Sequence, residues 1–487
     1  MARCIGPQRD FQVSVCPALR CAKPSRKYER VGIAVSGTVY ELSVGVERVE
    51  VDWQRRFQVP NETQLTRGAG GRILTNVNVW SADGNWIAYD TRSDAAGEVF
   101  DGTRIEAVHT KTHEVRELYE SKNGAKCGVV TWHPIEPKVA FILGPEHPTA
   151  EWSYGPSRRR GVIVDSRKPG VAIALDARDL VPPFTPGALR GGSHVHVFSP
   201  DGEWLSFTYE DQYLLRHETE TAAHDANLRN VGISVPAGLV KVSGKHPRNR
   251  DGTYFSVLVT RTTANPVPGS DEIQKAFEEA AIGTNGYLRR DGTRQKRALA
   301  FQGHVRTATG NIIAEVFVVD IPDDVRTVGD GPLQGTETRR PFPPKGTTQR
   351  RLTHTAHRKF PGIRGPRHWL RSSPDGTRIA FLMHDDNGMA QLATISSNGG
   401  DVTFVTQCKT GVASAFTWDV SGERIAFIAD GCVCVVDVAT GKVTMLTEPA
   451  KPEEAPRPEA CVFSPSGKQI AFIRRHNSAN QICIVDV

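Results

Sequence analysis

Two histidines separated by one residue, His194 and His196, carry the strongest chemical signal of the sequence. They lie in HVHVFSPDG, where alternating apolar residues precede a Ser-Pro-Asp-Gly turn, and this pattern predicts a strand. Because side chains two residues apart share one face of a strand, we expect both imidazoles to point to the same place. Convergent neutral imidazoles favour a divalent cation such as Mn, Fe, Ni or Zn.

Two more histidines stand at matching distances before other turns of this type. His368 is at the level of His194, and His246 is at the level of His196. The four together predict a metal site, and the alternative is that they satisfy hydrogen bonds with strands and water. Further candidates for contact with a ligand lie at matching strand positions or in loops: Asn76, Asn78, His147 and His357.

Three arginines accompany the histidines in the sequence: Arg190, Arg248 and Arg367. A guanidinium group binds a carboxylate or a phosphate through two hydrogen bonds, so these arginines predict an acidic ligand. Arg190 and Arg367 are the candidate catalytic residues and Arg248 is a candidate for binding. The alternative is that all three are solvated surface residues.

The strands and turns that must position these residues form a repeat. An apolar strand, a polar turn and a second apolar strand recur mostly about 45 to 65 residues apart, as expected for blades of a β-propeller. The seven copies begin at Asn76, Gly128, His194, Lys245, His368, Ala415 and Cys461. We therefore predict an all-β, seven-bladed β-propeller, in which the first strand of each blade lines the central channel.

The domain boundaries follow from the extent of the repeat. Residues 1–60 show no repeat and are predicted to be an N-terminal extension, poorly structured or a mis-assigned start, whereas residues 61–487 form the propeller. The segment QLTR at Gln64 resembles an outer strand and is expected to close the last blade, which would leave no free sheet edge.

One gap between copies is about twice as long as the others. It contains PGSDEIQKAFEEAAIG, where Ser270 is suited to cap a short helix. We predict a helical insertion near residues 265–310 within the fourth blade, and the alternative is a hidden eighth blade.

Composition excludes several classes of protein. The 60 Lys and Arg residues against 54 Asp and Glu residues give a formal charge of only +6 without a long basic run, which argues against nucleic-acid binding. The nine cysteines are odd in number and scattered, so reduced thiols are expected. No apolar run reaches about 18 residues, so no membrane span is expected. Without a secretory signal pattern at the N-terminus, a cytoplasmic location is predicted, with the periplasm as the alternative.

The repeat resembles that of the TolB-type propellers, and from Gln64 to Val487 the chain resembles the YidR family of uncharacterised TolB-like proteins. The resemblance rests on LTNVNVWSADGNW, TPGALRGGSHVHVFSPDGEWLSFTY, NPVPGSDEI, QRRLTHTAHRKFPG and PRHWLRSSPDGTRIAFLMHDDNG. It implies the propeller fold and brings no activity, because fold alone does not define function.

The histidine pair is also faintly similar to an arrangement in the oligogalacturonate lyase family, a seven-bladed propeller. That similarity implies a manganese ion held by three histidines and a glutamine, which neutralises a uronate before β-elimination. Gly191 stands here where the glutamine is expected, so Asn76, Asn78 or His368 would have to replace it.

Two functions remain open from the sequence. The first is a soluble propeller with a histidine-lined metal site at one mouth of its channel, which binds an acidic carbohydrate-like ligand and is a candidate metal-dependent lyase. The second is a non-catalytic TolB-like scaffold for protein partners, linked to biopolymer transport, in which the histidines are structural.

Overall fold

The computed structural model describes residues 62–217 and 225–487, together with two short strands near the N-terminus. Those two strands, Ile33–Val35 and Thr38–Tyr40, pair with each other and belong to a separate unit, residues 1–58. The rest of the predicted N-terminal extension lies outside the described residues.

Seven four-stranded antiparallel sheets follow one another along the chain, so the predicted seven-bladed propeller is confirmed. Blades 1 to 4, from the inner to the outer strand, are Gly71–Ile73, Trp86–Arg92, Arg104–His109 and Val115–Glu120; Cys127–Trp132, Lys138–Leu143, Arg160–Asp165 and Ala172–Ala174; Gly191–Phe198, Leu205–Asp211, Asn230–Val240 and Gly252–Leu258; Ile273–Ala281, Arg297–Arg306, Ile312–Ile321 and Thr348–Arg351. Blades 5 to 7 are Arg371–Ser372, Arg378–His384, Ala390–Ser396 and Thr403–Phe404; Thr417–Trp418, Arg424–Ala429, Cys432–Asp437 and Val443–Met445; Pro456–Phe463, Gln469–His476, Ala479–Asp486 and Glu62–Gln64.

Little regular structure lies outside the blades in the described ranges. Two short strand pairs lie outside the seven blades: Ala177–Arg178 with Ala188–Leu189, and Tyr287–Leu288 with Arg294–Gln295. The one helix in residues 62–217 and 225–487 is Gln212–His217. No helix among these residues has the length and apolarity needed to cross a bilayer.

Turn chemistry explains why the first two strands of each blade fold back on each other. In blade 3, the Ser199 hydroxyl donates to Asp201 and accepts from the amide of Trp204. Gly202 then takes a φ of +75°, which is accessible to glycine at no steric cost. The apolar faces that this alternation produces pack between neighbouring blades, as where Ile105 of blade 1 meets Phe141 of blade 2 in one buried cluster.

The N-terminal strand closes the ring, as predicted. Glu62 pairs with Val485 and Gln64 pairs with Cys483, so the first propeller strand becomes the outer strand of the last blade. The amide of Leu65 extends the pairing by donating to the carbonyl of Ile482 at 2.8 Å. The closing strand covers the edge of Ala479–Asp486 that would otherwise be unpaired.

The prediction that the copy at Lys245 begins the fourth blade is wrong. The copy at Lys245 leads into Gly252–Leu258, which is the outer strand of blade 3. The inner strand of blade 4 is Ile273–Ala281, which covers the segment predicted to form a helix, so that helix prediction is wrong.

Two β-bulges explain why this strand looks helical in sequence. The pairing register shifts between Ile273 and Ala276 and again between Phe277 and Ala280. Each bulge adds residues to one strand only, so side chains on one face recur after three or four residues instead of two. The buried apolar positions of the strand therefore imitate the spacing of an amphipathic helix: Ile273, Ala276, Phe277 and Ala280.

All six cysteines that lie in the described part of the chain are free, in agreement with the expectation of reduced thiols: Cys127, Cys408, Cys432, Cys434, Cys461 and Cys483. Cys4, Cys16 and Cys21 lie outside it.

We predict that Thr66→Val weakens the ring closure. The buried Thr66 hydroxyl donates to Gln481 Oε1 and accepts from the amide of Ile482, each at 2.9 Å. Valine keeps the shape but leaves the buried amide of Ile482 unpaired, whereas Gln481 Oε1 keeps a hydrogen bond from Arg72. The free energy of unfolding should therefore fall by about 1–3 kcal/mol.

Urea unfolding followed by tryptophan fluorescence measures this loss. The matched control is Thr444→Val on the exposed outer strand of blade 6, which should leave the unfolding midpoint unchanged. Equal effects of the two substitutions would contradict a special role for the closing strand.

Candidate functional site

The two ends of the channel differ in chemistry. At one end, the turns that follow the inner strands surround a cavity of about 380 Å³. We call this end the apolar mouth, and each blade contributes one residue to its rim: Ala82, Pro134, Pro200, Thr284, Pro374, Val420 and Pro465. Indole rings of Trp80, Trp132 and Trp418 line its wall.

The opposite end is lined by residues within or next to the inner strands and by the end of Trp86–Arg92 with the loop that follows it, and it encloses about 240 Å³. We call it the polar mouth, and its ionisable and polar lining residues are Thr75, Asn76, Asp90, Arg92, Glu98, His194, Arg367 and Glu459. The predicted site residues Asn76, His194 and Arg367 therefore share this mouth. Asn78 lines the apolar mouth instead.

His194 and His196 do not point to the same place, contrary to the prediction. Val195 between them has a φ of +58°, and the pairing register shifts between His194 and Val197. This bulge breaks the alternation of side chains, so His194 faces the polar mouth. His196 is fully buried and packs against blade 2, where a Cβ at Gly161 would come within 2.6 Å of its Nε2.

Both imidazoles are held neutral. Burial lowers the pKa of His194 well below its ordinary value, and the nearby Arg159 and Arg229 lower it further. Burial, assisted by Arg159, lowers the pKa of His196 to about 3. The Nδ1 atom of His194 is buried without a hydrogen-bond partner, and so are both ring nitrogens of His196.

His246 does not join this site. It lies in the loop before the outer strand of blade 3, where its Nδ1 accepts from the amide of Arg248. Arg248 in turn donates to the carbonyls of Glu146 and His147, at 2.6 and 2.9 Å. Arg248 and His147 thus tie two loops together, and neither is among the residues that line the polar mouth.

His357 lies on an exposed turn and is not among the lining residues of either mouth. Its predicted contact with a ligand has no support from its position.

Arg190 is structural, so its predicted catalytic role is wrong. It is fully buried, and its Nε and Nη2 donate to Asp211 Oδ2 at 3.0 and 2.6 Å. The guanidinium also lies 4.7 Å from the ring centre of Phe184 and donates to the carbonyl of Thr336. Every face of this cation is occupied, and none is open to a ligand.

His368 lies beside a carboxyl group that the sequence analysis missed. Its Nε2 is 3.7 Å from Glu278 Oε2, and the two side chains are 24% and 21% exposed. Gln302 links them, because its Nε2 donates to the carbonyl of His368 at 2.8 Å and to Glu278 Oε2. A carboxyl, an imidazole and an amide therefore form one partly exposed group on blades 4 and 5.

Burial sets the charge of this group. It raises the pKa of Glu278 to about 7, against the lowering influence of Lys275, Arg229 and Arg367. Burial also lowers the pKa of His368, which is therefore neutral near pH 7. A carboxyl that is half-protonated at neutral pH beside a neutral imidazole is suited to accept and return a proton.

The backbone of Glu278 is in a conformation that few residues adopt. Its φ of +56° lies at the second bulge of Ile273–Ala281. Non-glycine residues in this region carry a strain of about 1–3 kcal/mol and concentrate at functional sites. The bulge is thus the local feature that sets the direction of the carboxyl group.

A second buried carboxyl, Glu279, lies next in sequence. Its Oε2 accepts from the Thr208 hydroxyl at 2.9 Å, and burial raises its pKa to about 7. The buried Arg371 is its charged neighbour and donates to Asn76 Oδ1 at 2.6 Å. Asn76 is therefore fixed by a structural contact from blade 5, although it lines the mouth.

Arg367 lines the polar mouth, and two more cations lie close enough to act on His194 or Glu278. Arg367 is 52% exposed and lies 3.7 Å from Glu459, whose Oε2 is buried without a hydrogen bond. Arg229 pairs with Glu210 at 2.9 Å, and Arg159 donates to Tyr154 at 3.2 Å. Of these cations, Arg367 is the most open to a ligand.

The four predicted histidines do not form one ligand set. Within the described ranges, one group of three or more His, Cys, Asp or Glu side chains brings its ligand atoms within 4.8 Å of one another. It consists of Glu62, His476 and Cys483 on the last blade, away from the polar mouth. Of the four predicted histidines, His194 lines the polar mouth and His368 lies between the mouth residues Arg367 and Trp369 in sequence, whereas His196 and His246 are not part of its lining.

By its fold and its site, this protein is a seven-bladed β-propeller with ionisable side chains at one mouth of its channel. A family model described as a protein of unknown function (DUF3748) matches residues 126–250. The uncharacterised protein YidR of Escherichia coli (strain K12) is 45% identical over 414 residues, which cover 84% of this chain and 94% of that protein. The chain belongs to the YidR family.

Solved structures agree on the fold. An oligogalacturonate lyase in complex with manganese matches with a TM-score of 0.51 and 11% identity over 88% of this chain and 93% of that one. TolB from Acinetobacter baumannii matches with a TM-score of 0.34 and 13% identity over 83% and 81%, which is too low to support an argument. At such identities the similarity to the lyase shows the fold alone.

We predict that Glu278 makes the protein less stable as pH rises. Glu278 binds its proton more tightly in the folded chain, where its pKa is about 7, than at the ordinary value of 4.5. Unfolding between these pH values releases that proton, so the stabilisation is present below about pH 4.5 and is lost by about pH 7. The loss amounts to roughly 3 kcal/mol.

Urea unfolding of the wild type and of Glu278→Gln at several pH values measures this contribution as the difference between the two profiles. The control is Glu337→Gln at an exposed position, which should leave the profile unchanged. A Glu278→Gln profile parallel to that of the wild type would show that Glu278 has an ordinary pKa.

Proposed function

We propose that the polar mouth binds an acidic carbohydrate-like ligand and that Glu278 transfers a proton in its cleavage by β-elimination. The observation that carries the proposal is the pairing of Glu278, with a pKa of about 7, and the neutral His368 at 3.7 Å, next to Arg367 of the polar mouth. Groups poised in this way are typical of proton-transfer sites.

The cations supply the binding half of the proposal. Arg367 is about half exposed, and its one ion-pair partner in the described chain, Glu459, is a long contact of 3.7 Å. A carboxylate ligand offers two oxygens that match the guanidinium fork, which is a stronger interaction than this existing one. Arg229 and Lys275 add positive potential, because both act on the pKa of Glu278.

The chemistry of a uronate fits these groups. The proton on the carbon next to its carboxylate is acidic, and ionised Glu278 is suited to accept it. The bond from the neighbouring carbon to the glycosidic oxygen then breaks, a carbon–carbon double bond forms, and protonated Glu278 returns the proton to the leaving oxygen. An arginine on the uronate carboxylate stabilises the charge that develops in this step.

A divalent metal at the mouth is a separate part of the proposal. The Nδ1 of His194, buried without a hydrogen-bond partner, fits a ligand role. His368 and Glu278 are further donors, but in the described residues these three side chains do not bring their ligand atoms within 4.8 Å of one another, so they would have to move together to hold an ion. A bound metal would supply charge that acidifies the uronate. Elemental analysis that finds about one transition metal per chain, lost in His194→Ala, supports this part, and metal-free active protein rejects it.

The apolar mouth favours a second function, a scaffold for a protein partner. Its rim carries Val420 at 65% exposure together with four prolines, a surface suited to apolar side chains of a partner. In that case the ionisable groups of the polar mouth are structural, and loss of their charge would leave partner binding intact.

We predict that Arg367→Gln weakens binding of short galacturonate oligomers by roughly 10- to 100-fold, the range expected for a lost charged hydrogen bond. Isothermal titration calorimetry measures the affinity. The control is Arg167→Gln, an exposed arginine paired with Asp165 on blade 2, which should bind as the wild type does. Equal affinities of all three proteins would reject the polar mouth as the binding site.

We also predict that Glu278→Gln abolishes cleavage while it leaves binding within a few-fold of the wild type. The amide keeps the shape of the side chain but cannot accept the proton, and a lost general base typically costs about 10²–10⁴ in rate. The unsaturated product is followed by its ultraviolet absorbance. Cleavage at the wild-type rate by Glu278→Gln would exclude Glu278 as the base.

A further inference from the structure

We propose that Glu62, His476 and Cys483 form a zinc-type metal site that fastens the closing strand to the last blade. We call these three residues the closure cluster. Their ligand atoms, a carboxylate oxygen, a ring nitrogen and a sulfur, all lie within 4.8 Å of one another. The proposal is independent of the polar mouth.

Strand pairing places all three residues on one face of blade 7. Cys483 on the third strand pairs with Phe472 on one side and with Gln64 on the other. Glu62 is two residues from Gln64, and His476 is four residues from Phe472. Because side chains alternate along a strand, even spacings keep Glu62, Cys483 and His476 on the same face.

The distances are close to those of an occupied site. The sulfur of Cys483 is 3.5 Å from Nε2 of His476. Tetrahedral zinc has bonds of about 2.0–2.3 Å, which place neighbouring ligand atoms roughly 3.3–3.8 Å apart. The sulfur and nitrogen already have this spacing, and the carboxylate needs to move by about 1 Å.

The donor set selects a borderline cation. One thiolate, one imidazole and one carboxylate are the ligand types of zinc, whereas calcium and magnesium prefer oxygen alone. The negative charges of Cys483 and Glu62 would balance a divalent ion. Three protein ligands leave a fourth position for water.

The surroundings of the cluster orient it and leave an entry path. Arg474 Nη2 donates to Glu62 Oε2 at 2.9 Å and its Nε lies 2.8 Å from Oε1, so this ion pair holds the carboxylate over the sheet. Supporting bonds of this kind fix the direction of a metal ligand. Cys483 is buried, His476 is half-buried and Glu62 is exposed, so an ion reaches the site from the outer side.

The consequence of occupancy is a stronger ring closure. Glu62 comes from the start of the propeller and Cys483 from its last strand, so a shared ion joins the two ends of the closed ring. An ion that binds the folded chain alone stabilises it in proportion to the logarithm of its concentration above the dissociation constant. We expect zinc to raise the unfolding temperature and a chelator to reverse the rise.

Cobalt(II) binding to the full chain tests the site directly, because a cobalt–thiolate bond gives a charge-transfer band in the near ultraviolet. We expect one equivalent of cobalt to produce this band in the wild type, and zinc to remove it by competition. The band should disappear in Cys483→Ser and persist in the matched control Cys408→Ser, a free cysteine outside the cluster.

His476→Gln keeps the test decisive if Cys483→Ser does not fold. The half-buried His476 tolerates a polar substitution, and its loss should weaken cobalt binding at least tenfold while the thiolate band stays at saturation. The absence of a band in the wild type, or a band that persists in Cys483→Ser, would overturn the proposal. A metal at the polar mouth would bind without a thiolate band and would be unaffected by Cys483→Ser.

Discussion

The closing strand Glu62–Gln64 holds the ends of a ring together, and the geometry of the channel depends on it. Contacts inside the bore join blades that are distant in sequence, such as the bond from Arg371 of blade 5 to Asn76 of blade 1. Such a contact has a fixed length only if the ring is closed. A few backbone hydrogen bonds and the buried Thr66 therefore maintain the positions of groups far from them.

The closed ring allows charged groups to be buried in the bore at a cost to stability. Glu279 is fully buried, one of its oxygens lacks a hydrogen bond, and burial lowers the pKa of Arg371 to about 10. Replacing buried charges by packed apolar residues is often neutral or stabilising, so such groups are weak evidence for stability. Two adjacent carboxyl groups with raised pKa values on one bulged strand, Glu278 and Glu279 on Ile273–Ala281, are instead the pattern expected of a functional site.

The fold was predictable from the sequence because the same turn residues recur in most blades. The site depends instead on β-bulges, which have no recognisable sequence pattern here. The residue types at Ser199 and Gly202 are enough to predict a turn. The bulge at Val195 separates His194 from His196, and nothing in HVHV marks it. The bulges of Ile273–Ala281 gave a helical spacing, so the strand that carries Glu278 was missed.

Spacing along the sequence finds part of the lining of the polar mouth. His194 precedes a turn at the expected distance, Arg367 adjoins the matching His368, and both His194 and Arg367 line this mouth. Arg190 also lies close to a predicted site histidine in sequence, but its guanidinium group is paired with Asp211. These two residues are 21 positions apart, and neither composition nor spacing predicts their contact. The long gap before His368 was the one available signal for an inner strand without the usual turn.

A crystal structure of the full chain soaked with a galacturonate oligomer tests the central claim most directly. We expect the uronate carboxylate within hydrogen-bond distance of Arg367 and the acidic carbon of the sugar facing the Glu278 carboxyl group in the polar mouth. An oligomer bound at the apolar mouth, or a polar mouth that stays free of sugar at saturating concentration, would contradict it.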